Sequence, residues 1–311
     1  MEYEFAPLEG ITDAVYRRTH VRHYPGVARY YTPFISPTHH HVFTPRDLRE
    51  LAAENNPGLA LVPQLLTKNA DDFLWAANAL ADMGYREVNL NLGCPSGTVT
   101  AKGKGAGFLA RPDELDAFLG KIYAAAPLRV SVKTRLGIER PEEFIRLLSI
   151  FNRYPVARLI IHPRTRAEQY DGPVHRELFA YARENTSIPL CFNGELKTPD
   201  DIAAVAGELP GLPAVMLGRG LVADPALVRR ANGIPGDKET LRRFHDDLCA
   251  AYPVVFGGEN QAMHRMKAIW FYMLRGFTGA EGYRKRLVKT KKWPDFLAVA
   301  DEIFARCDSF S

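Results

Sequence analysis

The sequence predicts an α/β protein, a (β/α)8 TIM barrel followed by a small C-terminal helical domain. Three observations predict it. Eight short apolar or β-branched runs are spaced along residues 1–232. Segments with a helical apolar period lie between them. Beyond that point strand signals become few and helical periodicity continues. Eight strand–helix units in about 230 residues match the size of a closed parallel barrel. A doubly wound sheet would have fewer strands and a glycine fingerprint after the first. Here the first run ends in Ala6-Pro7-Leu8-Glu9-Gly10.

The eight runs are residues 3–6, 27–31, 60–65, 87–92, 129–134, 158–162, 188–193 and 214–217. Residues 69–83 carry apolar side chains at Phe73, Leu74, Ala77, Leu80 and Ala81, one helical stripe. Pro112-Asp113-Glu114, Pro141-Glu142-Glu143 and Pro199-Asp200-Asp201 each open a helix, with proline in the first turn and acids at the positive end. Thr198 is the N-cap of the last. The breaker cluster 232–236 reads as a linker. Residues 237–311 then show three helical stripes: Leu241, Phe244, Leu248 and Ala251; Met263, Met266, Ile269 and Trp270; Phe296, Leu297, Ala300 and Ile303.

Composition sets outer limits. Of 311 residues, 46% are hydrophobic and 24% charged, which excludes disorder as the main state. No apolar run approaches the ~18 residues of a membrane helix, so no membrane association is expected. Four cysteines (94, 191, 249 and 307) form no CxxC pair, so neither a disulfide framework nor a zinc site is expected. Met1-Glu2-Tyr3-Glu4 is acidic and runs straight into a strand, unlike a secretory leader, so a reducing, cytoplasmic setting is expected.

Barrel enzymes place their chemistry at the C-terminal ends of the strands. Seven of the eight ends here carry polar or charged residues: Glu9 after Pro7; Gln64; Asn91 and Cys94; Lys133 and Arg135; His162, Arg164 and Arg166; Asn193 and Glu195; Arg219. A plain core would scatter such residues over both rims. Lys133 lies inside an apolar strand and needs an anionic partner, either a ligand or Glu9 or Glu195. Gly218-Arg219-Gly220 follows the eighth strand, where barrel phosphates commonly sit on backbone N–H groups. Cys94 precedes a loop with glycines at 97, 103, 105 and 107, which reads as a mobile lid. An ordinary thiol is mostly protonated at neutral pH, which suits a proton donor better than a nucleophile. Cys191, Cys249 and Cys307 read as space-filling. His39-His40-His41 are adjacent, so they cannot all face one metal from a regular element, and no metal site is expected.

Taken together, these strand ends resemble the tRNA-dihydrouridine synthase family in its bacterial form. The matching stretches are 6–13 (APLEGITD) with Arg17, 91–95 (NLGCP), 132–137 (VKTRLG), 162–166 (HPRTR) with Gln169 and Tyr170, 193–195 (NGE), and 218–220 (GRG) with Pro225. NLGCP is the most specific of them. Leu8, Pro163 and Glu195 stand where the family usually has Met, Gly and Asp. The resemblance implies a flavin mononucleotide (FMN) in the barrel mouth. Pro7, Leu8 and Glu9 would line it, and Gln64 and Lys133 would meet its ring. His162 would contact it, and Asn193, Gly194, Glu195, Gly218 and Arg219 would hold its phosphate end. NADPH would be the reductant and Cys94 the general acid. Asn91 would orient the uracil, and Arg135, Arg164 and Arg166 would meet the substrate.

The tail carries the charge. Net charge over the chain is +4, and residues 237–311 hold 13 Lys+Arg against 10 Asp+Glu. Within 265–292, nine basic residues stand against Glu281 alone, interleaved with Tyr272, Phe277, Tyr283 and Trp293. That pattern suits RNA, with tRNA the expected partner; a solvated helix face is the plainer alternative. The organisation expected is a flavin-binding catalytic domain at 1–232 and a tRNA-binding helical domain at 237–311, in a monomer. A flavin barrel acting on a free pyrimidine shares the site residues but needs no basic tail.

Overall fold

The computed structural model describes residues 1–309. Its main sheet is parallel. The strands are β1 (Glu2–Phe5), β2 (Arg29–Tyr31), β3 (Leu61–Val62), β4 (Gln64–Leu65), β5 (Glu87–Leu92), β6 (Arg129–Arg135), β7 (Leu159–His162), β8 (Leu190–Phe192) and β9 (Ala214–Leu217). They pair in the order β3-β2-β1-β9-β8-β7-β6-β5-β4. The two ends of that order, β3 and β4, are halves of the single third run, parted at Pro63. Proline has no N–H to give a ladder, but its carbonyl still accepts from Asn89 at 2.8 Å. The order therefore closes on itself, and all eight expected runs are staves of one barrel.

The helix signals hold in detail. The Asn69 side chain accepts the N–H groups of Asp71 and Asp72 and starts the helix Ala70–Asp82, which buries Phe73, Ala76, Ala77 and Leu80. Thr198 and Asp201 form a capping box at the head of Pro199–Glu208. Pro112 opens Pro112–Ala125 at its first turn. The third proline signal is displaced. The helix there begins at Glu143, whose carboxylate turns back to accept the N–H groups of Ile138 (2.8 Å) and Arg140 (2.9 Å).

The barrel interior has two layers below the mouth. A small apolar cluster includes Ala6, Tyr31, Val62, Ile160, Cys191 and Met216. Beneath it Glu4, fully buried, takes an ion pair from Arg158 and the hydroxyl of Tyr31 at 2.9 Å. Glu87 pairs with Arg29 (3.0 Å) and Arg129 (2.9 Å). The floor is thus closed by charge that is paired, as burial requires.

The tail forms helices Lys238–Phe256, Glu259–Met273, Tyr283–Lys289 and Trp293–Arg306. It also contains a two-stranded ladder, Phe277–Thr278 with Asp308–Ser309, which sequence periodicity does not reveal because two residues carry no period. One hydrophobic cluster runs without a break from the barrel's helical shell into the tail. Phe244 packs edge-on against Tyr16 (5.5 Å) of the helix Ala14–His23 and against Tyr24 (5.6 Å), which caps that helix. Buried Asp13, after β1, meets Arg265 of the tail at 2.7 Å. The helix Glu259–Met273 also packs on Arg219–Ala223, the short helix after β9.

Candidate active site

A cavity of about 370 Å³ opens at the C-terminal ends of the strands, within the usual range for small-molecule sites. Pro7, Leu8, Glu9, Gln64, Asn91, Cys94, Lys133, Arg135, His162, Asn193, Gly194, Glu195, Gly218 and Arg219 all line it. Parallel register is the cause. It sets Gln64 beside Asn89, Lys133 beside Asn91, and Arg135 beside His162.

A chain of amides runs along one wall. Ser131 Oγ accepts from Asn89 (3.0 Å), whose Oδ1 accepts from Gln64 (2.8 Å), whose Oε1 accepts from Asn91 Nδ2 (2.7 Å). Asn91 Oδ1 then accepts the backbone N–H groups of Gly93 and Cys94, both at 3.0 Å. Asn91 therefore shapes the turn that carries Cys94, and only one of its amide hydrogens is left for a ligand. Burial pushes the Cys94 thiol above its ordinary value; the Ser96 N–H and Lys133 oppose this without cancelling it. The thiol is protonated at neutral pH.

Lys133 is half-buried and has no ion pair among the described residues. Neither Glu9 nor Glu195 reaches it: Glu9 pairs with Arg46, and Glu195 with Arg164, Arg219 and Lys197. Burial, with Arg135 nearby, lowers the ammonium to about 8. His162 is held well below its usual range by burial and by Arg135, Lys133, Arg164 and Arg219, so its imidazole is neutral. Glu195 adopts φ 47°, a left-handed conformation uncommon for a non-glycine residue, and three cations hold its carboxylate. The N–H groups of Arg219 and Gly220 donate to nothing else among the described residues. Gly220 has no alternative as a residue, since a Cβ there would run into the Leu196 carbonyl.

The structure adds detail to three of the expectations. Arg135 lines the cavity, and the guanidinium groups of Arg135 and Arg164 are both held by the mouth loops. Arg135 is buried and donates to the carbonyls of Gly93 (2.9 Å), Thr165 (2.8 Å) and Gln169 (2.7 Å). Arg164 donates to Gly172 (2.7 Å) and Glu195 (2.9 Å), outside the cavity wall. Both knit the mouth loops together. Arg166 also lies off the cavity, half-buried, with Thr100 Oγ1 3.5 Å away. The glycine-rich segment has regular structure. It folds into two short helical turns, Gly97–Thr100 and Gly105–Ala110, with Ala106, Phe108 and Leu109 buried. Gly105 (φ +57°) lies so close under Cys94 that a Cβ would sit 2.9 Å from its carbonyl oxygen. The second unit, to which sequence assigned no role, supplies Pro33 and Phe34 to the cavity.

Comparison with known proteins follows the same order of residues. The family model described as dihydrouridine synthase (Dus) matches residues 4–306. The chain belongs to the dihydrouridine synthase family. A probable tRNA-dihydrouridine synthase 1 of Synechocystis is 31% identical over 304 residues, covering 96% of this chain and 81% of that one. A tRNA-dihydrouridine(16) synthase of Ralstonia nicotianae is 30% identical over 85% of this chain and 80% of its own. The likeness to solved structures is one of fold. An old yellow enzyme homologue from Zymomonas mobilis gives a TM-score of 0.52 at 12% identity, covering 75% of this chain and 88% of that one. Morphinone reductase gives 0.55 at 14%, covering 77% and 88%.

Two residues of this dihydrouridine synthase family member take a place in the cavity that the sequence did not assign them. Tyr170 lines the cavity under the guanidinium of Arg219, 4.6 Å from the ring centre. Tyr272, from the tail, reaches the same cavity. No sequence signal places a residue so far along the chain at the barrel mouth. The basic tail segment is also less free than its count suggests. Arg265 pairs with Asp13, Arg286 with Glu302, and Lys267 donates to the carbonyls of Val288 (3.2 Å) and Thr290 (2.6 Å). The histidine run is on the surface, where His41 stacks on Trp75 (5.2 Å). No group of possible metal ligands exists among the described residues, and no helix there is long and apolar enough to cross a membrane.

Proposed function

We propose that this protein reduces uridine in tRNA to 5,6-dihydrouridine, with FMN as bound cofactor and NADPH as reductant. The observation that carries the reading is a protonated thiol, Cys94, in one cavity with a half-buried ammonium, Lys133, that lacks a carboxylate partner. The residues fit a flavin: Lys133 needs an anionic group, and the free N–H groups of Arg219 and Gly220 suit a phosphate. Pro7, Leu8 and Glu9 would line the ring, Gln64 and Lys133 would bond its edge, and His162 would donate as a neutral imidazole. Asn193, Gly194, Glu195, Gly218 and Arg219 would surround the phosphate, which would share Arg219 with Glu195. When bound and reduced by NADPH, the flavin would supply a hydride to C6 of the uracil.

Cys94 delivers the matching proton to C5. Its raised pKa keeps that proton in place until the ring carbon takes it. Asn91 holds the Cys94 turn through two backbone bonds and offers its remaining N–H to the base. Arg135 and Arg164 act indirectly, by fixing the loops around the mouth, while Arg166 and the exposed tail lysines meet the RNA. Residues 1–232 do the chemistry and 237–311 hold the tRNA, in a cytoplasmic monomer. A base must leave its stack to enter the cavity, at a cost of a few kcal/mol, which backbone contacts offset.

The test is an assay of NADPH oxidation by flavin-loaded protein with unmodified tRNA against free uridine. Turnover with tRNA, and dihydrouridine in the product, supports the proposal. Equal turnover with free uridine would favour a small-molecule reductase instead. Protein that takes up no flavin, judged by visible absorption, would end the cofactor assignment.

A further inference from the structure

A second concavity, of about 330 Å³, lies on the tail and is separate from the barrel cavity. Its wall is Phe271, 44% exposed, with Phe277 beside it and Arg275, Arg284 and Glu281 around the rim. The guanidinium of Arg284 lies 4.8 Å from the Phe271 ring centre and that of Arg275 lies 5.4 Å from it. Neither arginine has an ion pair among the described residues. An exposed aromatic ring flanked by two unpaired guanidinium groups is not what a plain solvated helix face contains.

Its neighbour in sequence links it to the barrel. Tyr272 lines the barrel cavity and Phe271 lines the tail concavity, with ring centres 5.1 Å apart and planes at 84°. Arg275 sits over both rings, 5.7 Å from Tyr272. A strand leaving the barrel mouth across Tyr272 therefore meets Phe271 next. Aromatic rings and guanidinium planes are the surfaces on which unstacked bases rest, and guanidinium groups also bind phosphate.

We propose that this concavity receives a single unstacked nucleotide of the tRNA, close in the strand to the base held in the barrel. Its base rests on Phe271 and its phosphates meet Arg275 and Arg284. The proposal rests on the tRNA reading above and adds a subsite to it. Charge complementarity selects RNA over a neutral partner, and the adjacent barrel mouth selects the nucleotide's position.

Phe271 is exposed, so Phe271→Ala should fold. Base–aromatic stacking is worth enough that the KM for unmodified tRNA should rise about tenfold. The kcat and the reduction of bound flavin by NADPH should not change. Phe271→Trp should restore the KM, and its added emission should be quenched by tRNA. Replacing Arg275 and Arg284 together by Ala should lower the salt slope of binding by about 2. If Phe271→Ala keeps the wild-type KM while Lys289, Lys291 and Lys292 replaced by Ala weaken tRNA, the concavity is not a nucleotide site and the tRNA reading stands. If the wild-type protein forms no dihydrouridine in any tRNA, the reading beneath both proposals fails.

Discussion

The carboxamide oxygen of Asn91 accepts the backbone N–H of Cys94 at 3.0 Å, and its amide donates to Gln64 at 2.7 Å. One strand residue thus ties the thiol's turn to the third stave of the barrel. Two such hydrogen bonds are worth about 1–3 kcal/mol together. Asn91→Ala should lower kcat by roughly tenfold or more with a smaller effect on the KM for tRNA. A change in KM alone would show that Asn91 only binds the base.

Cys94→Ala should lower dihydrouridine formation by about 10²-fold or more, the usual worth of a positioned acid, while tRNA affinity holds. The pH profile follows from burial. A proton donor works only while protonated, so the rate should fall as pH rises through the thiol pKa. Burial raises that pKa, so the fall should lie above the ordinary thiol range. Full activity in Cys94→Ala would remove the general-acid assignment.

Lys133 gives a second pH dependence. In the flavin-free protein its ammonium titrates at about 8, and an anionic ring edge binds the charged form better. Flavin affinity should fall as pH rises through that value, and Lys133→Met should bind weakly with no such dependence. The same shift affects stability. The unfolded lysine holds its proton up to about 10.4, so between these pH values the unfolded state binds more protons and the flavin-free protein gains stability with pH. Calorimetry of wild type against Lys133→Met measures both signs.

Asp13 and Arg265 join barrel to tail. Burial, then Glu50, raise Asp13 to about 6, although Arg265 lies 2.7 Å away. Its folded pKa is thus above the unfolded value of about 3.9. Stability from this group is fully present below the unfolded value and is lost as pH rises through about 6. Arg265→Ala removes the only ion pair of Asp13 among the described residues, should raise its pKa further and should cost roughly 1–3 kcal/mol at pH 7, as other hydrogen bonds and protonation limit the loss. Asp13→Asn should remove the loss between pH 4 and 6. Chemical denaturation at pH 4 and 7 tests both variants.

Three of the nine basic residues in 265–292 are engaged by other groups of the protein, Arg286 by a surface ion pair, which leaves six unengaged for RNA. Counterion release then limits the slope of log affinity against log salt to about −5 from this segment. A slope near zero would argue against the tail as the RNA platform.

The strand ends were legible because a barrel has one productive rim, and parallel register carries each C-terminal residue to it. Gln64, Asn91, Lys133 and His162 reach one cavity for that reason. The loop contacts of Arg135 and Arg164 were not legible, because a guanidinium that meets loop carbonyls has the same letter as one that meets phosphate. The packing at glycines 105 and 107 was hidden for a like reason: glycine serves close packing as readily as motion, and here Cys94 and Thr100 lie against them.

By itself the sequence determined the eight staves, their capped helices, the helical tail and the set of residues on the rim. These are local patterns or consequences of closure, so a linear chain encodes them openly. The tertiary structure alone decided which charges are consumed within the protein, that Asn91 holds Cys94, and that Tyr272 of the tail lines the barrel cavity. Those outcomes depend on distances between residues far apart in sequence, and such distances exist only once the shared hydrophobic core has docked the tail on the barrel.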